Sequence, residues 1–174
     1  MNYVTRKGKF DAAHRVLDEN IQCYNLHGHE YHYELTFSYK QTKKIGYSID
    51  FKDIKAIGCK WITLNFDHAY IANPQDIEMI EICRKIDSNF YIMHLVDNHN
   101  YCNPTAENIA KEIFYAISSL IHEHETGLTL CKVKLFETCN CFVECNGLTK
   151  EETDLFLKSK LHDEIIKYRR SIYE

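Results

Sequence analysis

Three histidines near the start of this chain have the residue type and spacing of a metal site. His27 and His29 flank Gly28 and are followed at once by residues typical of a strand. Side chains two apart in an extended chain point to the same side, so both imidazoles can reach one metal ion while Gly28 lets a neighbouring backbone approach. His14 ends an earlier strand-like run, and a hairpin-like pairing of the runs would bring it near as a third ligand. Three neutral imidazoles favour zinc with an open fourth position. The alternative is a set of surface or hydrogen-bonded histidines.

Cys23 lies four residues before the His-Gly-His segment, and its spacing is compatible with several roles. It could be a fourth zinc ligand or an inert core thiol. It could also be a nucleophile or base, because a nearby cation and an imidazole favour the thiolate, which can remove a proton from a carbon made acidic by a metal. The spacing does not choose between these roles.

Two further places in the chain carry polar groups that could take part in proton transfer or ligand binding. Asp67 precedes His68, and a carboxylate beside an imidazole can orient it for a proton relay, although such a dipeptide is usually just a polar loop. Glu137 stands where the alternation of the preceding strand expects an apolar residue. A carboxylate there could anchor a heterocycle with adjacent N–H donors, or form a strand-edge salt bridge with a lysine.

The composition limits the class of protein. Of 174 residues 45% are hydrophobic, which excludes disorder as the main state, and the net charge of −4 without a basic tract argues against a nucleic-acid partner. The N-terminal residues lack the apolar run of a signal peptide, and no stretch reaches the ~18 apolar residues of a membrane span, so we expect a cytoplasmic protein. Its eight cysteines are then expected as thiols, including Cys139, Cys141 and Cys145, whose spacing does not match a zinc motif.

Hydrophobic periodicity predicts the elements that must position these groups. Alternating patterns predict strands over residues 4–13, 30–39, 47–49 and 130–138, and an apolar run predicts another over 90–96. Helical spacing predicts a helix from the cap Asp50 to about residue 65, with Ile54, Ile57, Trp61 and Leu64 on its apolar face, and a weaker one over 75–87.

Capping signals mark the starts of two more helices. Thr105, after Pro104, can cap a helix whose first turn carries Glu107, and Thr149 with Glu152 resembles a capping box that opens a final helix to about residue 169. The chain is therefore expected to form a single α+β domain over 1–174, an antiparallel β-sheet backed by helices, with a C-terminal helical extension from about 149.

Taken in order, six segments resemble the 6-pyruvoyl-tetrahydropterin synthase and QueD family over roughly residues 5–147. They are FDAAHR, CxxxHGH, SIDF, DH, PTAEN and FET. The resemblance implies the tunnelling fold (T-fold), a Zn²⁺ ion on His14, His27 and His29, and subunits joined into trimers or hexamers whose active sites lie at interfaces. It further implies four catalytic residues: Cys23 as the proton-abstracting group, His68 as its relay partner with Asp67 behind it, and Glu137 as pterin anchor and part of the relay. It also implies that Thr105 and Glu107 line the pterin pocket.

Two branches of this family compete. The three-residue gap between Cys23 and His27, and the triplet that begins at Glu137, are similar to the queuosine-precursor branch. That branch implies a 6-carboxy-5,6,7,8-tetrahydropterin synthase, which converts 7,8-dihydroneopterin triphosphate to the carboxypterin, acetaldehyde and triphosphate. The alternatives are the 6-pyruvoyl synthase, a zinc-binding homologue without synthase activity, or a metal-dependent hydrolase on the same ligands. Residues 72–103 make up a longer stretch than the corresponding part of compact members of the family.

Overall fold

The fold is built on one six-stranded sheet, as seen in a computed structural model that describes residues 2–95, 102–121 and 127–173. The strands are β1 (Asn2–His14), β2 (His27–Tyr39), β3 (Ala69–Ala72), β4 (Phe90–Ile92), β5 (Leu128–Phe136) and β6 (Phe142–Cys145). Their order across the sheet is β4-β3-β1-β2-β5-β6. The two longest strands therefore lie at the centre of the sheet.

The sheet is mixed, whereas the sequence predicted antiparallel pairing. β1 and β2 pair antiparallel along their whole length, and β5 and β6 extend this arrangement. β3 joins β1 in parallel, and β4 joins β3 in parallel. β3 follows β2 in the chain and runs antiparallel to it, so its position beside β1 makes these two strands parallel. The helix over residues 77–85 then returns the chain in the same direction to β4.

The helices are α1 (Phe51–Ile54), α2 (Lys60–Phe66), α3 (Ile77–Lys85), α4 (Ala106–Leu120), α5 (Lys150–Leu157) and α6 (Lys160–Tyr173). A π-helical turn, Lys55–Cys59, makes α1 and α2 continuous, and a 3₁₀ turn spans Gln22–Tyr24. None of the helices within the described ranges has the length and apolar character needed to cross a bilayer.

Most of the predicted helix starts are confirmed. Asp50 caps α1, Thr105 caps α4 through the Asn108 amide, and Thr149 with Glu152 forms a complete capping box at the start of α5. The predicted final helix is instead two helices, α5 and α6, with a break at residues 158–159.

Three details of the predicted elements differ from the structure. Residues 47–49 lie in a bent loop rather than a strand, and the side chain of Ile49 is buried. Leu64 is 64% exposed, because the π-helical turn shifts the residues that follow it away from the face expected for a regular helix. The strand predicted over 90–96 ends at Ile92, and its last residue lies outside the described ranges.

The core lies between the helices and one face of the sheet. Phe10 stacks on Tyr31 and on Phe66 at centroid distances of 5.0 and 5.4 Å, and all three side chains are buried. The opposite face of the central strands carries ion pairs such as Lys9–Glu30 at 2.6 Å. The sheet is therefore apolar on the helix side and charged on the other, and the histidines lie where the apolar side ends.

Candidate metal centre and active-site cavity

The pairing of β1 with β2 brings the three predicted histidines together. His14 lies opposite His27, and Ala12 lies opposite His29, so all three imidazoles leave the same face at one end of the strand pair. A Cβ added to Gly28 would approach the Ala12 carbonyl oxygen to 3.0 Å, which confirms the role predicted for this glycine. One ring nitrogen from each of the three imidazoles lies within 4.8 Å of the other two.

In two of the imidazoles, a hydrogen bond to a backbone carbonyl determines which ring nitrogen carries the proton. His14 Nδ1 donates to the Pro104 carbonyl at 2.6 Å, and His27 Nδ1 donates to the Asn25 carbonyl at 2.7 Å. Each neutral ring then presents a bare Nε2 lone pair, and these two Nε2 atoms face each other at 3.2 Å. Neither can donate to the other, so a cation between them would satisfy both lone pairs.

The third imidazole completes the fit to a metal ion. His29 Nε2 is buried and has no hydrogen-bond partner among the described residues. Burial is the main cause that lowers the pKa of both His14 and His29, which favours the neutral form that a metal needs. Three neutral imidazoles with one side open suit Zn²⁺, so His14, His27 and His29 would hold the ion predicted for them.

Cys23 lies beside this cluster rather than within it. The half-buried Cys23 belongs to the 3₁₀ turn, where its carbonyl accepts a hydrogen bond from the Val16 amide at 2.8 Å. Among the described residues, the candidate metal cluster contains only the three histidines and not this thiol. The geometry therefore argues against the fourth-ligand alternative for Cys23.

A cavity of about 330 Å³ brings His14, one histidine of the cluster, together with several of the other predicted groups. Its lining residues include five of the nine predicted site residues: His14, Cys23, Thr105, Glu107 and Glu137. Thr105 and the exposed Glu107 lie at the start of α4, directly after the Pro104 carbonyl that holds His14. The PTAE segment thus both orients the candidate metal ligand His14 and lines the cavity.

Glu137 lies just past the end of β5, not inside the strand as the alternation predicted. Its backbone amide donates to the Cys141 carbonyl, and the tight turn that follows leads into β6. Its carboxylate oxygen Oε1 is 3.6 Å from His14 Nε2 and 3.8 Å from His29 Nε2, and the side chain is 29% exposed. The strand-edge salt bridge with a lysine is absent from the described ion pairs, and the carboxylate instead faces the open side of the metal cluster.

Asp67 and His68 lie apart from Cys23 in the single chain. Asp67 Oδ1 is 3.2 Å from His68 Nδ1 and also accepts from the Asp11 amide at 3.0 Å. His68 has a left-handed backbone with φ of 56°, and its side chain is 76% exposed. It lines a separate hollow of about 540 Å³ beside Gly28. One chain therefore forms the predicted imidazole–carboxylate pair but does not bring it to the thiol.

Comparison with known proteins gives the family. The family model described as 6-pyruvoyl tetrahydropterin synthase matches residues 3–148. The chain belongs to this family. It is similar to the 6-carboxy-5,6,7,8-tetrahydropterin synthase of Rickettsia conorii, with 39% identity over 145 residues that cover 80% of this chain and 96% of the relative. The protein of the same name from Haemophilus influenzae is 30% identical over 147 residues, covering 81% of this chain and 96% of the relative.

A solved structure of the 6-pyruvoyl tetrahydropterin synthase family has the same fold. The Caenorhabditis elegans 6-pyruvoyl tetrahydropterin synthase superposes with a TM-score of 0.57 at 21% identity, covering 85% of this chain and 98% of the other. The T-fold predicted from the resemblance is thus confirmed, with a mixed sheet. The match to the family model ends at residue 148, so α5 and α6 lie beyond it.

Tyr31 is a residue of the site that the sequence analysis missed. It is fully buried, and its ring lies edge-on to His29 at a centroid distance of 5.5 Å. A signal for it existed, because Tyr31 continues the two-residue spacing of His27 and His29 onto the same face of β2. It escaped notice because an aromatic residue on the buried face of a strand is usually part of the core.

Proposed function

We propose that this member of the family is a zinc-dependent 6-carboxy-5,6,7,8-tetrahydropterin synthase of queuosine biosynthesis. The reaction would convert 7,8-dihydroneopterin triphosphate and water to 6-carboxytetrahydropterin, acetaldehyde and triphosphate, which makes the protein a lyase. The proposal includes a cytoplasmic location, in which the eight cysteines would stay reduced. The names of the relatives support the choice of product, since the relatives at 30–39% identity are 6-carboxy-5,6,7,8-tetrahydropterin synthases.

The observation that carries the proposal is the set of groups around one cavity. A thiol and a carboxylate have little reason to share a cavity with His14, one of the three clustered imidazoles, in a protein that uses zinc only for structure. Structural zinc sites usually have four protein ligands, whereas the cluster within the described residues has three. The open side of that cluster faces Glu137, which leaves room for a ligand.

Each side chain then has a chemical role that its position allows. A zinc ion on the three imidazoles would act as a Lewis acid toward side-chain oxygens of the substrate. Cys23, as thiolate, would remove a proton from a side-chain carbon of the dihydropterin. Glu137 would accept two adjacent N–H groups of the heterocycle, and Thr105 and Glu107 would line the pterin pocket. His68, oriented by Asp67, would move protons to and from the reacting side chain.

The test is to incubate the zinc-loaded protein with 7,8-dihydroneopterin triphosphate and identify the products by mass spectrometry. We expect the carboxypterin together with acetaldehyde and triphosphate. A pyruvoyl-pterin product would replace the proposed activity with that of the 6-pyruvoyl synthase. No turnover by protein with a full complement of zinc would refute both activities.

We further propose that the active enzyme is a trimer or hexamer in which one subunit supplies Cys23 and its neighbour supplies Asp67 and His68. Two features support this. His68 is exposed and lines a different hollow from Cys23, and β4 and β6 are edge strands of the sheet. Unpaired strand edges favour association with another subunit.

Mixing two inactive variants tests the shared site. Cys23→Ala and His68→Ala subunits would each lack one group, but a mixed oligomer would rebuild complete sites between an intact thiol and an intact imidazole. At equal mixing about a quarter of the sites should be complete. Activity that stays at the level of the separate variants after subunit exchange, checked by mass, would show that each chain uses its own pair.

A further inference from the structure

The 3₁₀ turn that carries Cys23 is not anchored by the hydrophobic core. None of the residues Gln22–Tyr24 is buried. Backbone hydrogen bonds hold the turn at two points: the Val16 amide donates to the Cys23 carbonyl at 2.8 Å, and the carbonyl that follows the turn accepts from His27 Nδ1 at 2.7 Å. Segments with few buried contacts open locally more often than the core does. A thiol that has to lie against a reacting carbon therefore depends on side chains that hold this turn.

Arg15 provides a fixed cationic group beside the turn. Its Nε and Nη2 atoms donate to the two carboxylate oxygens of Asp76 at 2.7 and 2.5 Å. The Tyr70 hydroxyl donates to the same carboxylate at 2.6 Å, and Asp76 is only 3% exposed. Two parallel hydrogen bonds between planar groups fix the orientation of the guanidinium as well as its position.

The ring of Tyr24 lies against this fixed guanidinium. The Arg15 Cζ atom is 5.7 Å from the centre of the ring, which is within the range of a cation–π contact. The Tyr24 side chain is otherwise 41% exposed, and its hydroxyl makes no hydrogen bond among the residues that the structure describes. The ring thus connects the turn, through Arg15 and Asp76, to the start of α3.

The segment after β1 brings this contact into register with the candidate site. His14 belongs to the histidine cluster, the next residue is Arg15, and the one after it is Val16, whose amide binds the Cys23 carbonyl. The thiol of Cys23 and the imidazole of His14 line the same cavity. A rigid Arg15 therefore fixes the turn with respect to the histidine that would hold the metal.

We propose that Arg15, held by Asp76, is a positioning residue that keeps the Cys23 thiol in place through the ring of Tyr24. This inference rests on the proposed function and adds two residues that lie outside the lining of the cavity. Arg15 would act through geometry rather than through charge, because the Asp76 carboxylate neutralises its guanidinium.

The test removes the ring and leaves the ion pair of Arg15 with Asp76 intact. A cation–π contact of a partly exposed ring corresponds to about a 2- to 5-fold change in a local equilibrium. In zinc-loaded Tyr24→Leu we expect kcat to fall about 2- to 5-fold and KM to change less than about 2-fold, since the displaced group is the base and not a pterin contact. Hydrogen–deuterium exchange of a peptide over residues 20–25, followed by mass spectrometry, should become faster by a similar factor. Tyr24→Phe, which keeps the ring, should behave as wild type in both measurements.

A matched control removes a similar contact elsewhere. Tyr47 is 42% exposed, and Lys43 Nζ lies 5.4 Å from the centre of its ring, but Tyr47 is not among the residues that line the cavity. Tyr47→Leu should therefore leave kcat and the exchange of residues 20–25 unchanged. Tyr24→Leu should also retain full zinc, measured by atomic absorption, because the three imidazoles are placed by β1 and β2.

Four results would overturn the inference. Unchanged exchange in Tyr24→Leu would show that the ring does not hold the turn, and faster exchange with unchanged kcat would show that the turn does not position the base. A loss of kcat in Tyr24→Phe equal to that in Tyr24→Leu would assign the effect to the hydroxyl. Lost zinc in Tyr24→Leu would assign it to the metal cluster. No turnover by the zinc-loaded wild-type protein would instead overturn the proposed function, and the exchange rates would still show whether the ring holds the turn.

Discussion

Replacing Asp76 with asparagine should destabilise the protein more than any exposed charge change nearby. Asp76 is 3% exposed and accepts two hydrogen bonds from Arg15, at 2.7 Å from Nε and 2.5 Å from Nη2, and a third from the Tyr70 hydroxyl at 2.6 Å. Arg15 directly follows the candidate ligand His14, and its guanidinium lies 5.7 Å from the centre of the ring of Tyr24, the residue after Cys23. The ion pair therefore fastens the start of α3 to the segment that carries the candidate site.

The expected cost follows from which groups lose their partners. Both carboxylate oxygens of Asp76 accept hydrogen bonds from Arg15. Asp76→Asn replaces one of these oxygens with an amide donor that faces the guanidinium, and the Arg15 side chain is only 17% exposed. Removing one partner of a buried pair costs about 3–5 kcal/mol, and the partial exposure of Arg15 points to the lower end, about 3 kcal/mol. Asparagine is as good a helix cap as aspartate, so the loss of the α3 cap adds little. At about 2–4 °C per kcal/mol for a chain of this length, the melting temperature should fall by about 6–12 °C.

The matched control removes a second carboxylate from the same arginine. Glu78 Oε2 lies 3.8 Å from Arg15 Nη2, but its side chain is 79% exposed, so Glu78→Gln should cost no more than about 0.5 kcal/mol. Both variants are compared by urea unfolding at pH 7. Burial opposes the charge on Asp76, but the hydrogen bonds from Arg15 and Tyr70 lower its pKa, so the carboxylate is fully ionised there. Equal stabilities of the two variants would refute the assignment of a strong buried pair.

Three further outcomes are expected at the candidate site. Cys23→Ala should keep zinc, measured by atomic absorption, and lose about 10²-fold or more in turnover, since the base but no metal ligand is removed; loss of zinc would mean that the thiol is a ligand. Glu137→Gln should weaken binding of the pterin ring at least about 10-fold in fluorescence titrations, because the amide presents a donor to the N–H groups of the ring; unchanged affinity would contradict the anchoring role. Burial lowers the pKa of His14 and His29 in the folded state, so the metal-free protein should lose stability as pH falls below about 6.5, where the unfolded chain takes up protons more readily. Melting temperatures of chelator-treated protein from pH 7.5 to 5.5 test this sign, and a rise on acidification would contradict it.

The central part of the fold could be predicted from the sequence because its signals are local. The alternation in β1 and β2 and the caps Asp50, Thr105 and Thr149 each act within a few residues. The parallel addition of β3 and β4 could not be predicted in the same way. Their four and three residues are too short to show a periodicity, and their direction depends on how the preceding helix packs on the sheet.

In the candidate site, too, the features set by local signals could be predicted and those set by distant contacts could not. His27 and His29 are positioned by the strand that contains them, and pairing brings His14 opposite, so the spacing of two was informative. The tautomers of His14 and His27 depend on carbonyl groups of Pro104 and Asn25, which have no signature in the sequence. The predicted strand that includes Glu137 extends two residues too far, to 138 instead of Phe136, because alternation does not indicate where a strand ends.

The Pro104 carbonyl that orients His14 is itself positioned by hydrogen bonds that connect three segments of the chain. The side-chain oxygen of Asn103 accepts from the Leu17 amide and from Asn73 Nδ2, both at 2.8 Å, and its backbone carbonyl accepts from Asn108 Nδ2 at 2.8 Å. This residue therefore connects the chain after β1, the end of β3 and the first turn of α4. Pro104 follows it directly, so the position of the His14 imidazole depends on contacts across about 90 residues of sequence. The geometry that a metal ion would need is thus a property of the folded core, which places the candidate metal ligands on the rigid part of the molecule and leaves the groups proposed to meet substrate at the open side of the cavity.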